Sequence, residues 1–132
     1  MSKLGCKCGH VISDQTDNIP YKGHVLADVR YETFFVWLIE ETQSYVEAAQ
    51  AGRVEQWLLE RGYEQDYVDL KLSHGDVLHD HIDAHFRMVK RDMYECEARG
   101  RIHMETREDN RFVGYAPDNG KVNAIFAAVP VH

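Results

Sequence analysis

The sequence predicts an α+β protein, with an antiparallel sheet drawn from both chain ends and an inserted segment of about three helices. Three observations predict it. Short β-branched runs between turn residues occupy the two ends of the chain. The middle carries apolar residues at three-to-four spacing. Glycines and capping residues punctuate that middle at helix-length intervals. At 132 residues, with 44% hydrophobic content, the chain is one domain's worth with room for a core. Residues 1–27 and 92–132 read as the β part and residues 28–91 as the helical insertion.

Taken in order, "GHVIS" (9–13) and "YKGHVLA" (21–27) read as short strands. Between them "SDQTDNIP" is a polar loop in which Asp14, Asp17 and Asn18 can bond their own backbone. Asp28 is placed to cap a helix running to about Ala51. Tyr31, Phe34, Phe35, Leu38, Tyr45, Val46 and Ala49 form its expected core face. The run "FFVWLI" (34–39) is apolar nearly all round, so Val36 and Trp37 need cover as well, and core burial is the expectation. Gly52 stops that helix. A shorter helix over 53–61 turns Val54, Trp57 and Leu58 inward and ends at Gly62. Residues 63–72 read as a turn of helix or a loop. Ser73 caps a further helix to about Lys90, with the stripe Leu78, Ile82, Phe86, Val89 and Met93. Strand character returns at 93–98, 100–106, 111–117 and 122–131, with turns at 108–110 and 117–120.

The formal charge of −7 disfavours a general nucleic-acid binder and suits a basic partner. No apolar run approaches the roughly 20 residues that span a bilayer. "MSKLGCKCGH" lacks the apolar stretch of a signal peptide, so the expected compartment is the cytoplasm, without membrane contact. Three cysteines in a reducing compartment point to metal ligands or free thiols rather than a disulfide framework.

Cys6 and Cys8 lie in "CKCG", and Cys96 lies in "CEARG". A zinc knuckle sets thiolates on a tight turn followed by a glycine, and both segments have that glycine. Two such hairpins facing each other make a zinc ribbon, here interrupted by the helical segment. The stretch "CKCGHVISDQTDNIPYK" resembles a family of small, largely uncharacterised bacterial proteins. Their pattern is Cys-x-Cys-Gly-x-x-Ile-x-Asp-x-Thr-Asp-x-x-Pro-Tyr-Lys, then a helical middle, then Tyr-x-Cys-x-x-Cys-Gly-Arg and an aromatic strand. The chain matches at Cys6, Cys8, Gly9, Ile12, Asp14, Thr16, Asp17, Pro20, Tyr21 and Lys22. It matches again at Tyr94, Cys96, Gly100 and Arg101, and "RFVGYAP" resembles the last strand. The resemblance implies a four-cysteine zinc site, from which the chain departs at Arg99. Three outcomes stay open: zinc completed by His10 or His103, zinc with an open position, or no bound metal with Arg99 beside the thiolates.

"HGDVLHDHIDAH" (74–85) places His74, His81 and His85 within about 40° on one helix. His81 and His85 have chelating spacing, but Ile82 stands where a metalloprotease helix carries glutamate. Boundary contacts are the ordinary role of such a stripe, with partner contact as the sharper one. No phosphate loop or nucleophile elbow is present in the sequence. The expected function is therefore a protein-binding or neutralising protein without catalysis. An immunity protein that blocks a basic antibacterial toxin is one concrete form. Trp37, Trp57, His74, His81 and His85 are its candidate contacts. A structural-zinc adaptor or regulator and a metal-dependent hydrolase are the alternatives.

Overall fold

The computed structural model describes residues 3–107 and 110–127. In chain order its elements are β1 (Lys3–Gly5), β2 (Val11–Ser13), β3 (Lys22–Val25), α1 (Asp28–Gln50), α2 (Val54–Glu60), α3 (Gln65–Asp69), α4 (His74–Val89), β4 (Arg91–Glu95), β5 (Ile102–Glu105) and β6 (Phe112–Tyr115). The protein is α+β, with antiparallel strands from both chain ends. Two compact units divide it: Ala27–Val89, and the residues up to Leu26 together with those from Lys90 onward.

The single sheet expected is in fact two. β1 pairs with β2, while β3, β4, β5 and β6 form a four-stranded sheet in that order. The polar loop after Ser13 separates them. Asn18 takes a left-handed φ of 58°, and Tyr21 donates its hydroxyl back to the Ser13 carbonyl, so the chain leaves the first pair before β3 begins. β3 then joins β4 with Lys22 opposite Tyr94, and β4 joins β5 with Tyr94 opposite His103. Cys6, Ile12, Tyr94 and Cys96 are buried together, with Leu4, Tyr21 and Phe112 packed around them.

The last expected strand is not formed over 122–127; the rest of that run and most of the 108–110 turn lie outside the described residues. Its amides are otherwise engaged. Asn123 and Ile125 donate to the two carboxylate oxygens of the buried Glu95 at 2.9 and 3.2 Å. Backbone donors spent on a carboxylate are unavailable to a strand ladder.

In the helical unit Tyr45, Ala48, Trp57, Leu58, Val68 and Val77 make the core. The cap of α1 is Ala27, not Asp28; Asp28 is the first helical residue, where its charge favours the helix N-terminus. Residues 63–72 supply α3, so the unit has four helices rather than three. Ser73 caps α4 as expected, its Oγ accepting from the Asp76 amide at 3.1 Å. Val77 is the buried residue of α4, and Met93 falls in β4 instead of continuing the stripe.

The expected core face of α1 is corrected. Phe34, Tyr45 and Ala48 are buried, but Tyr31, Phe35, Val36 and Val46 are exposed. Apolar residues on both sides of one helix leave its buried face undetermined by periodicity alone.

Candidate metal centre

Two hairpins build the centre. In the first, the Cys6 amide donates to the His10 carbonyl at 2.8 Å and the Gly9 amide to the Cys6 carbonyl at 2.9 Å. In the second, the Cys96 amide donates to the Arg101 carbonyl at 2.8 Å and the Gly100 amide to the Cys96 carbonyl at 2.7 Å. Both turns hold their glycine at positive φ, 100° at Gly9 and 76° at Gly100. Gly100 is constrained twice over, because a Cβ there would sit 2.3 Å from the Lys121 carbonyl oxygen. The turns differ by one residue, and the longer one places Arg99, exposed, where the first places Cys8.

The three sulfurs of Cys6, Cys8 and Cys96 lie within 4.8 Å of one another, and three cysteines so grouped could bind a metal ion. All three are free thiols. Cys8 and Cys96 Sγ are 3.6 Å apart, too far for a disulfide bond. Tetrahedral zinc with sulfur ligands at about 2.3 Å sets neighbouring sulfurs about 3.8 Å apart, close to the Cys8–Cys96 separation. Cys6 and Cys96 are buried while Cys8 is exposed. Burial pushes the Cys6 thiol up from its ordinary value. The backbone amide of His10 lowers that of Cys8.

Neither candidate histidine belongs to the sulfur cluster. The His10 ring turns to Glu97, Nε2 to Oε1 at 3.3 Å. His103 is buried on β5 opposite Gly114, where an added Cβ would meet its ring at 3.3 Å. Burial, then the neighbouring Arg101, lowers the His103 value, and its buried Nε2 has no hydrogen-bond partner.

The histidine stripe does a different job. A 360 Å³ cleft in the helical unit is lined by Trp37, Glu41, Arg61, Tyr63, His81 and His85, among others. Glu41 Oε1 is bonded by Arg61 and by His81 Nε2 at 2.8 Å, and Tyr63 Oη meets His81 Nδ1 at 2.7 Å. Burial pushes the Glu41 carboxyl up, but the bonds from Arg61 and His81 outweigh it and hold it below its usual range. His85 stacks on Trp37 with ring centroids 3.7 Å apart, and burial, then His81, lowers its value. His74 instead meets the Tyr45 hydroxyl at 2.6 Å. Trp57 faces inward as its helix spacing predicts, only 4% exposed, with Nε1 donating to Ser44 Oγ, which rules it out as a surface contact. No motif in the sequence marks Glu41, Arg61 or Tyr63; the adjacent Glu40–Glu41 pair reads as helix surface, and only the fold aims Glu41 inward.

Residues 2–119 match a family described as "Domain of unknown function (DUF8617)", and the chain belongs to that family. No curated protein and no solved structure matches the chain. Among the described residues, no helix is long and apolar enough to cross a membrane.

Proposed function

We propose that the protein is a non-catalytic binding protein whose β unit is clamped by a structural zinc ion on Cys6, Cys8 and Cys96. The observation that carries the metal is the meeting of three sulfurs from two hairpins 88 residues apart in sequence, within 4.8 Å of one another and with Cys8 and Cys96 3.6 Å apart. Two of the three sulfurs are buried, which suits an ion that holds structure together over one that meets substrate. His10 is the fourth ligand in this reading. It follows Gly9 directly, and release from Glu97 frees its ring. When bound, zinc would supply cross-linking between the hairpins and would stabilise all three sulfurs as thiolates.

The binding role is supported by the charge of −7 and by acidic helix surfaces that favour a basic partner. Neutralisation of a basic toxin by an immunity protein remains its most concrete form.

Metal analysis of the purified chain beside its Arg99→Cys and His10→Ala variants tests the zinc reading. One zinc per chain is expected for the wild type, with weaker retention in H10A and tighter in R99C. A metal-free wild type that stays folded in chelator would overturn it. The binding reading is tested separately, by recovery of a specific partner from native host extract; repeated recovery of none would count against it.

A further inference from the structure

α1 carries a second apolar face that the core does not use. Val29 is 87% exposed, Ile39 67% and Val36 47%, and Phe35 and Val46 are exposed beside them. Numbered as a heptad, Val29, Val36, Gln43 and Gln50 fall on one repeat and Glu32, Ile39 and Val46 on the other. The buried Phe34 and Ala48 occupy the position opposite this seam. The face therefore has the spacing of a helix-pairing surface, along a helix of 23 residues or about 34 Å.

Its charges say what would cover it. Asp28, Glu32, Glu40 and Glu47 are exposed along the seam or on its border, with no lysine or arginine among the seam positions. The one basic residue of α1, Arg30, lies off the seam. Pairing α1 with a second copy would set carboxylates against carboxylates. A helix with an apolar stripe and lysine or arginine flanks would instead bury the valines and isoleucine and neutralise the rim.

We propose that this seam of α1 docks a basic-flanked amphipathic helix of a partner protein. The proposal rests on the binding-protein reading and adds to it the surface and the chemistry of the partner. It is independent of the zinc site.

The experiment uses the full chain and two synthetic amphipathic peptides with the same leucine seam, one flanked by lysines and one by glutamates. Calorimetry and sedimentation give affinity and stoichiometry. The lysine peptide is expected to bind one to one, about tenfold or more tighter than the glutamate peptide. The double variant Val36→Ser/Ile39→Ser is expected to weaken that binding at least about tenfold with an unchanged melting curve, since both residues are exposed. Glu40→Lys/Glu47→Lys is expected to reverse the preference between the peptides. Lysine-peptide binding that V36S/I39S leaves unchanged would overturn the proposal, because charge alone then explains it. A wild-type dimer dispersed by I39S would overturn it in favour of self-pairing. A natural partner bound equally by wild type and V36S/I39S would overturn this surface while leaving the binding reading in place.

Discussion

In the helical unit the buried cluster is Tyr45, Ala48, Trp57, Leu58, Val68 and Val77, with two aromatic rings among aliphatic side chains. In the β unit the corresponding cluster is Cys6, Ile12, Tyr94 and Cys96. Half of those four buried residues are thiols. Two sheets of three- to five-residue strands with so small an apolar centre are where the proposed metal cross-link would contribute most. The helical unit, by contrast, fixes its interior with ring packing and side-chain bonds. Tyr45 meets Trp57 edge to face, and Arg61 lies 3.9 Å over the Trp57 ring while bonding Glu41. The contrast separates two ways of holding a small fold, one by packing and one, on the zinc proposal, by ligation.

The comparison can be broken most sharply at Cys96. Cys96→Ser is expected to lose the metal and unfold the β unit, a destabilisation on the order of 5 kcal/mol or more. Near-ultraviolet circular dichroism should lose the Tyr94 signature, whereas the far-ultraviolet helix signal persists. Trp57→Ala attacks the other unit and should cost about 3–5 kcal/mol through a core cavity, with metal content unchanged. Urea unfolding of the two variants side by side would show whether the effects fall on different units.

The two hairpins sharpen the contrast at smaller scale. Gly100→Ala meets both a left-handed backbone and the Lys121 carbonyl, and should destabilise the β unit by about 3 kcal/mol. Gly9→Ala has the left-handed backbone but open space around it, so about 1 kcal/mol is expected. Equal losses in denaturant titrations would contradict the structure of the second turn.

The smallest expected effect is a pH dependence of the helical unit. The His85 value is lowered in the fold, by burial first and then by His81, against a weaker opposing pull from Glu41. The neutral ring is the form the fold prefers. Its contribution is complete above the unfolded value of about 6.5 and is lost as the pH falls through the folded value. Thermal melts from pH 8 to 5 should show this decline, and His85→Gln should flatten it. Glu41, held low, adds a separate loss only below the ordinary carboxylate range.

Local chemistry made much of this readable from the residues. Ser73 predicts the start of α4, Gly52 and Gly62 the ends of the helices before it, and the two glycine-bearing turns the meeting of Cys6, Cys8 and Cys96. What could not be read has physical reasons. α1 is apolar on opposite sides, so no periodicity distinguishes Phe34 from Phe35. The tail at 122–127 has strand composition, but its amides go to Glu95, a tertiary contact invisible in composition. Trp57 goes into the core, as the α2 spacing predicts, and is lost as a surface contact, while Arg61 and His81 hold the Glu41 carboxylate in the cleft, which the sequence does not encode. His103 is drawn to Gly114 by register, which spacing along the chain does not encode.

On the zinc proposal, the thiols of the two hairpins form one metal site that holds the β unit together. Cobalt titration of the reduced chain tests it most directly, read by thiolate-to-metal charge transfer and tetrahedral d–d absorption alongside thermal unfolding. Saturation at one cobalt per chain is expected, with a three-sulfur tetrahedral spectrum, displacement by zinc, and a rise in the melting temperature that Cys96→Ser abolishes. A chain that takes up no cobalt, keeps three reactive thiols and melts identically with and without metal would contradict it.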